Sequence, residues 1–179
     1  FYIENGSNHH LQNEYYSGIK TIYDICEMEN GEIYIGTSEG LFYVDETGSE
    51  VQLNQIMGDF TDQKEVNCVE AYDDAIWAVC NNRYMYVISA KKTISKEDLS
   101  LTVSDDISCM KAIDGKLYVG TAGKNIVVFS SGRNEGEIIT AEVEGINNMM
   151  KDSQGRIWVC GDNGLGYFVG NNFIKISDC

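Results

Sequence analysis

Histidine and cysteine are the side chains of this sequence with the greatest capacity for catalysis or metal binding. The two histidines, His9 and His10, are adjacent and lie near the amino end. The six cysteines stand at positions 26, 68, 80, 109, 160 and 179, with no Cys-x-x-Cys pair and no histidine beside them. Zinc sites need closely spaced thiolates and imidazoles, and general-base catalysis most often uses a histidine. We therefore expect no metal, no other cofactor and no catalytic residue.

Paired carboxylates are the remaining candidates for chemistry. Asp73-Asp74 and Asp105-Asp106 could bind a hard cation, but neither pair has the spacing of oxygen ligands that a calcium loop requires. We interpret both pairs as solvated turns.

The charge balance excludes whole classes of partner. With 13 Lys and Arg against 28 Asp and Glu, the formal net charge is −15. Binding to nucleic acid or to an anionic membrane surface needs a basic face, which this composition does not supply. The longest apolar runs are about five residues, whereas a membrane-spanning helix needs roughly 18 to 20. No signal peptide is visible at the start, and we expect the chain to be part of a longer one.

A repeat of about 40 residues organises the chain. Five-residue apolar runs begin at positions 33, 76, 117 and 157, which are 43, 41 and 40 residues apart. Each run has an aromatic residue in second place, and we expect these four to form a structural column between blades: Tyr34, Trp77, Tyr118 and Trp158. A second strand-like run precedes each of these, beginning at Ile22, Val66, Ile107 and Ile146. A third run follows at 41–45, 84–89, 125–130 and 167–169, and a weaker fourth at 51–56, 99–103, 138–143 and 173–176.

Four short strands in each unit, joined by Asn-Gly and Asp-Gly turns, are typical of a β-propeller blade. We predict an all-β propeller with about four consecutive four-stranded blades, at 17–58, 66–103, 107–145 and 146–177, as a fragment of a larger propeller. Residues 1–16 would be the remnant of a preceding blade and a linker. A meandering sandwich or barrel is the alternative, but the four equivalent aromatic residues favour the propeller.

The last repeat makes the pattern more specific. Residues 146–165 read Ile-Asn-Asn-Met-Met-Lys-Asp-Ser-Gln-Gly-Arg-Ile-Trp-Val-Cys-Gly-Asp-Asn-Gly-Leu, and the repeat at 22–41 carries the related Asn30-Gly31, Ile33–Thr37 and Gly40-Leu41. This pattern resembles the two-component regulator propeller repeat. Repeats two and three depart from it at 78–80, where Ala-Val-Cys replaces the Gly-Thr pair, and at 125–126, where Asn-Ile replaces Gly-Leu.

The resemblance implies a function and a location. Propellers of that family are the extracytoplasmic sensory part of membrane-anchored bacterial regulators, joined to a histidine kinase or diguanylate cyclase output domain and often linked to carbohydrate sensing. The resemblance thus implies missing blades and an output domain as partners in the parent protein, with a small polar or carbohydrate ligand.

The cysteines have two interpretations. Cys68 and Cys109 take the third place of an inner strand, where other repeats have Asp24 and Asn148, so they are expected to be small buried fillers. Disulfides are the alternative, because an extracytoplasmic protein meets oxidising conditions.

The ligand-binding mouth of a propeller is built from the loops between second and third strands and those between blades. These loops carry neutral polar side chains, single charges and an aromatic residue, which suit a sugar or another small polar ligand. The candidate binding residues are Glu39, Phe60, Asn81, Arg83, Lys124, Asp162 and Asn163. Ordinary surface turns have a similar composition and are the alternative.

Three functions remain open at this point. The first is a non-enzymatic, ligand-binding sensory propeller. The second is an intracellular interaction scaffold of the WD type, whose Gly-His and Trp-Asp signatures are absent from the sequence. The third is a propeller lyase or hydrolase, which would need a site made of carboxylates alone. The repeat pattern and the lack of a histidine in the repeats favour the first.

Overall fold

The computed structural model of the protein describes residues 2–4, 7–9, 18–45, 52–57, 65–89, 94–97, 105–132 and 136–177. A two-stranded hairpin joins β1 (Tyr2–Glu4) to β2 (Ser7–His9), and four antiparallel four-stranded sheets follow. Blade 1 contains β3 (Ile22–Glu27), β4 (Ile33–Thr37), β5 (Gly40–Asp45) and β6 (Gln52–Met57). Blade 2 contains β7 (Val66–Tyr72), β8 (Ala75–Cys80), β9 (Tyr84–Ser89) and β10 (Ile94–Glu97). Blade 3 contains β11 (Ile107–Ile113), β12 (Lys116–Thr121), β13 (Asn125–Ser130) and β14 (Glu137–Thr140). Blade 4 contains β15 (Ile146–Lys151), β16 (Ile157–Gly161), β17 (Gly164–Val169) and β18 (Asn172–Ser177).

The predicted fold class is confirmed. All four first strands begin at the residues that the repeat indicated, and each sheet is a meander in sequence order. Two details differ. Strand β2 lies where a linker was predicted, and the outermost strand described in blade 2 is Ile94–Glu97, since the predicted strand at 99–103 lies outside the described residues.

Turn residues explain why the hairpins are tight. Asp73 and Asp74 both have positive φ, at 53° and 57°, and Asp114-Gly115 have φ of 50° and 68°. Two consecutive residues with positive φ form a type I′ turn, whose twist matches that of the two antiparallel strands it joins. Asp and Gly tolerate positive φ. The acidic pair at 73–74 is therefore an exposed hairpin turn between β7 and β8, as the sequence indicated.

The blades pack face to face along the chain. Contacts join β3 to β7, β7 to β11 and β11 to β15, so the first strand of each blade is innermost. We call the side of a blade that contacts the following blade its forward face, and the opposite side its backward face. One apolar cluster fills each of the three junctions: Tyr34, Val66, Val69 and Ile76 in the first, Val79, Ile107, Met110 and Leu117 in the second, and Tyr118, Ile146, Met149 and Val159 in the third.

The aromatic residues at the second place of each second strand differ in their burial. Tyr34 is 2% exposed and Tyr118 is 8% exposed, and both lie in junction clusters. Trp77 packs against the second cluster with its ring centroid 5.8 Å from that of Phe129. Trp158 is only partly buried, because it lies on the forward face of blade 4.

Every innermost strand contains a β-bulge near its start. The pairing register shifts between the first and third residues of β3, β7, β11 and β15, so the second residue is extra. Bulges locally bend a strand and change the direction of a side chain. The four bulged residues are Tyr23, Asn67, Ser108 and Asn147.

Candidate ligand-binding mouth

One end of the sheets brings together the loops that were predicted to bind ligand. In each blade the turn after the second strand is tied to a residue one or two positions before the innermost strand. The N–H groups of Ser38, Asn81, Ala122 and Asp162 donate to the carbonyls of Thr21, Glu65, Asp106 and Glu144 at 3.0, 2.9, 2.8 and 2.8 Å, respectively. We call this end, with its turns and the starts of the innermost strands, the mouth.

Two of the predicted binding residues are cations that bridge neighbouring blades. Arg83 Nη1 lies 3.1 Å from Asp106 Oδ1, and Lys124 Nζ lies 3.1 Å from Glu144 Oε1. In each pair the cation belongs to one blade and the carboxylate to the start of the next. Both pairs are exposed, so each contributes only about 0 to 1 kcal/mol to stability, and their charged groups stay accessible at the mouth.

The other predicted residues lie on turns of the same end. Asn81 has a φ of 50°, which marks it as a turn former. The Oδ1 of Asn163 accepts a hydrogen bond from Glu144 N at 2.7 Å, and the carbonyl of Glu39 accepts one from Gln55 Nε2 at 2.7 Å. Phe60 lies outside the described residues. The described candidates are distributed over the four mouth turns rather than gathered in one cluster.

The bulged residues form a second set at the mouth that the sequence analysis did not identify. Asn67 Oδ1 accepts a hydrogen bond from Asn82 N at 2.9 Å, and Asn147 Nδ2 donates to Asp162 Oδ1 at 2.9 Å. Both contacts join an innermost strand to a mouth turn. Ser108 Oγ donates to the carbonyl of Ile146 in the next blade. Polar side chains of four successive blades therefore stand at equivalent positions of the mouth.

The chemistry of this set is that of neutral hydrogen bonding. Asn67 uses its acceptor Oδ1 in this contact, and Asn147 uses its donor Nδ2. The other end of the Asn67 amide is a donor, and the other end of the Asn147 amide is an acceptor. Tyr23 adds a ring that is 41% exposed and a phenolic hydroxyl. Amides, hydroxyls and an exposed ring beside single charges can hold a ligand that is rich in hydroxyl groups.

A signal for these bulges exists in the sequence. Strand side chains alternate with a period of two, yet each innermost strand starts with a pair of large apolar residues that are three apart: Ile22 and Ile25, Val66 and Val69, Ile107 and Met110, Ile146 and Met149. A spacing of three within a strand requires one extra residue, which is the bulge.

Two clefts lie at the end opposite the mouth. One of about 720 Å³ is lined by Met28, Glu29, Asn30 and residues 71–75 of blades 1 and 2. Another of about 460 Å³ is lined by residues 30–33 and 43–45 of blade 1. The Asp73 and Asp74 turn borders the larger cleft, so that cleft is acidic.

The Asp-x-x-Gly turn of blade 4 explains the motif that carries the family resemblance. Asp152 Oδ2 accepts hydrogen bonds from Trp158 Nε1 at 2.8 Å and from Arg156 Nε at 2.6 Å, while its Oδ1 accepts from the N–H groups of Gln154 and Arg156. The Arg156 guanidinium lies over the rings of Trp158 and Tyr167, 5.2 and 4.9 Å from their centroids. One carboxylate thus fixes the turn and orients the aromatic residue of the blade.

The pH dependence of stability should reveal this carboxylate. The hydrogen bond from Trp158, followed by those from Arg156 and Gln154, lowers the pKa of Asp152 below its ordinary 3.8. Because its pKa is lower in the folded state, the ionised Asp152 carboxylate contributes its full stabilisation of the fold above pH 3.8. That stabilisation is lost as the pH falls below this value. Asp152→Asn, which mimics the protonated acid, should therefore reduce the melting temperature at neutral pH, and the difference from the wild type should shrink in acid. A difference that is constant with pH would mean that the ionised form has no special role.

The described cysteines are free thiols, which favours the filler interpretation over disulfides. Cys68 and Cys80 are 5% and 1% exposed, and Cys68 Sγ donates to the Ser108 carbonyl across the second junction at 3.4 Å. Burial raises the pKa of Cys26 and Cys68 to about 12, and that of Cys80 and Cys109 to about 11. Cys179 lies outside the described residues.

These four thiols should be inert in the folded protein, because the thiolate is the reactive form. The test uses the double variant Cys160→Ser, Cys179→Ser, which keeps only these four cysteines. At mildly alkaline pH, a chromogenic aromatic disulfide should react with none of them in the folded protein and with all four in denaturant. Rapid reaction of the folded protein would show that the innermost strands open to solvent.

The described residues contain no group of three or more His, Cys, Asp or Glu side chains that could hold a metal ion. Within the same ranges, no helix has the length and apolar character needed to cross a membrane.

Comparison with known proteins supports the fold. The chain is similar to the extracellular domain of a protein described as a hybrid two component system of B. thetaiotaomicron, with a TM-score of 0.77, 16% identity and coverage of 94% of this chain and 24% of that one. It is also similar to a catalytically inactive histidine-to-alanine variant of virginiamycin B lyase from Staphylococcus aureus with quinupristin, with a TM-score of 0.64, 14% identity and coverage of 86% and 54%. A third similar structure is YCF48 bound to D1 peptide, with a TM-score of 0.65, 14% identity and coverage of 87% and 54%.

These likenesses place the chain among β-propellers. No protein-family model and no curated protein sequence matches it. The chain spans about a quarter of the regulator domain and about half of the other two chains.

Proposed function

We propose that the chain is a non-catalytic, ligand-binding segment of the sensory propeller of a bacterial signal-transduction receptor, located outside the cytoplasm. Its ligand is a small neutral polar molecule, with a carbohydrate as the preferred class. The parent receptor supplies further blades and an output domain of the histidine kinase or diguanylate cyclase type.

The mouth carries this proposal. The bulge recurs at the same place in four successive innermost strands and sets Tyr23, Asn67, Ser108 and Asn147 beside the predicted loop residues. A propeller blade does not need a polar residue at such a place for its packing, because the flanking apolar residues fill the junctions. Neutral amides and hydroxyls next to balanced ion pairs favour an uncharged, hydroxyl-rich ligand over a strongly charged one.

The sensory role is supported by the repeat pattern together with the likeness to the extracellular regulator domain. A lyase role is disfavoured by the residues available. The inactive lyase variant lacks one histidine, whereas the only histidines of this chain are His9 and His10, which precede blade 1.

A thermal-shift screen against soluble oligosaccharides and small polar metabolites tests the proposal. A ligand at 100 times its dissociation constant should add about 2.7 kcal/mol to stability, which is a rise of several degrees for a domain of this size. A shift confined to neutral sugars would support the proposal. The absence of any shift while the protein is folded, or a shift produced only by charged metabolites, would contradict it.

Variants locate the binding site. Replacing both Asn67 and Asn147 with alanine should weaken binding of the active sugar by about 5- to 150-fold, since two directed hydrogen-bonding groups are lost, each worth about 0.5 to 1.5 kcal/mol. Gln154→Ala is the matched control, because Gln154 is exposed on a turn at the opposite end. Calorimetric titration of both variants measures the effect, and equal affinity of the two would place the site elsewhere.

A further inference from the structure

The mouth turns of blades 2 and 3 are closed onto the blade that follows. In the second junction, Ile107 N donates to the carbonyl of Asn82 at 2.6 Å, and Arg83 pairs with Asp106. A backbone hydrogen bond and an ion pair therefore hold the turn of blade 2 against the start of blade 3. The third junction is closed by contacts of the same two kinds: Gly145 N to the carbonyls of Ala122 and Gly123, and Lys124 with Glu144.

The mouth turn of blade 1 is held differently. Ser38 Oγ accepts hydrogen bonds from the N–H groups of Lys20 and Thr21 at 3.0 and 3.3 Å, and the carbonyl of Glu39 accepts one from Gln55. All of these partners belong to blade 1 or directly precede it. Among the residues that the structure describes, no hydrogen bond or ion pair joins residues 38 and 39 to the start of blade 2. The first junction is therefore open at the mouth.

Tyr23 lies at this opening. It is the bulged residue of β3, and Ser108 holds the same place in β11. Ser108 Oγ reaches the carbonyl of Ile146, so a side chain at this place points toward the following blade. The side chain of Tyr23 is 41% exposed. Its exposure therefore belongs to the junction between blades 1 and 2 rather than to the backward face of blade 1.

Glu65 supplies a carboxylate beside this ring. It is exposed and directly precedes β7. Partial burial, followed by the negative charge of Glu65, raises the pKa of Tyr23, so the carboxylate lies within electrostatic range of the Tyr23 hydroxyl. Asp106 and Glu144, at the starts of the next two blades, are each paired with a cation. Within the described residues, Glu65 has no such partner, and both of its carboxylate oxygens are acceptors.

A ring and a carboxylate at one opening suit a particular kind of sugar. The C–H face of a pyranose is apolar and packs on an aromatic ring, whereas its hydroxyls lie at the edge and donate hydrogen bonds. We propose that the opening between blades 1 and 2 is a pyranose subsite. Tyr23 is the platform under the sugar ring, and Glu65 accepts hydrogen bonds from two neighbouring hydroxyls. This inference rests on the proposed function and narrows its ligand to ring sugars.

Matched ligands test the role of the sugar ring. The probes are the methyl pyranosides of glucose, galactose and mannose, with sorbitol as the open-chain comparison, which has hydroxyls but no ring face. In a titration followed by proton NMR of the sugar, the C–H protons of one face should shift upfield, because they lie over an aromatic ring. Sorbitol should bind more weakly than the best pyranoside, and equal affinity would overturn the proposal.

Variants at the opening test the two residues. Tyr23→Leu keeps an apolar side chain but removes the ring, and it should weaken binding of the best pyranoside by about 2- to 13-fold. Tyr23→Phe keeps the ring and should bind more tightly than Tyr23→Leu. Glu65→Gln should also bind more weakly than the wild type, because hydrogen bonds to a charged acceptor are roughly twice as strong as neutral ones. Ile25→Leu is the matched control, since Ile25 lies on the same strand and is 61% exposed on the backward face.

The outcomes separate this inference from the proposed function. Tyr23→Leu and Glu65→Gln could bind like Ile25→Leu while the double alanine variant of Asn67 and Asn147 loses affinity. The mouth would then bind sugar at another place, and the inference alone would be wrong. Upfield shifts that persist in Tyr23→Leu would also overturn it, because another ring would be the platform. A folded wild type that responds to no neutral sugar of the screen would overturn the proposed function, and this inference with it.

Discussion

Met149→Ala is expected to lower the free energy of unfolding by about 2 to 5 kcal/mol. Met149 is 2% exposed and lies in the third junction cluster, between blades 3 and 4. Its removal would leave a cavity between two sheets that cannot close around it, since both sheets are held by their own hydrogen bonds. Chemical denaturation measures the loss.

Ile25→Ala is the matched control for this prediction. Ile25 occupies the same place in its repeat but is 61% exposed, so its truncation should change stability by no more than about 0.5 kcal/mol. Equal losses for the two variants would mean that the backward face of blade 1 is covered within a single chain, which contradicts the blade order described above.

The second large effect is expected from Gly36→Ala, at about 1 to 3 kcal/mol. An ideal Cβ at Gly36 would lie 2.6 Å from the carbonyl oxygen of Val66 and 3.1 Å from the Cγ1 of the same valine. The carbonyl belongs to the innermost strand of blade 2 and cannot move without shifting the first junction. The glycine of the repeat motif is thus explained by the close approach of the next blade.

Gly18→Ala serves as the comparison, because its Cβ would lie 3.8 Å from Glu39 Cγ, at ordinary contact distance. This substitution should leave stability within about 0.5 kcal/mol of the wild type. If Gly36→Ala is tolerated equally well, β4 of blade 1 and β7 of blade 2 approach less closely than the structure shows. Thermal denaturation of the two variants side by side is sufficient to decide.

Much of the fold could be predicted because the signals are local. A strand needs only alternating side chains and a turn needs only residues that tolerate positive φ, so the starts at Ile22, Val66, Ile107 and Ile146 could be read from the sequence. The outermost strands were harder to place, because they have one neighbouring strand and face water. Their apolar pattern is correspondingly weak, and in blade 2 the strand at Ile94–Glu97 was not predicted.

The mouth was predictable only in part. The loop residues follow from the order of the strands, but their partners lie far away in the sequence. The contact between Arg83 and Asp106, for example, spans 23 residues. No local pattern specifies such pairs, because they depend on how two sheets are set against each other. The bulged residues differ from one blade to the next in chemical type, as Tyr, Asn, Ser and Asn, so only the spacing of the apolar residues around them indicates their place.

The central claim is that the mouth, rather than the clefts at the opposite end, binds the ligand. Chemical-shift mapping of the backbone amides during titration with the most stabilising sugar of the screen tests it most directly. If the ligand binds at the mouth, shifts are expected at Asn67, Asn82, Asn147 and Asp162, with no change at residues 29–31 and 73–74. Shifts confined to 29–31 and 73–74 would place the ligand in the acidic cleft between blades 1 and 2 and contradict the account.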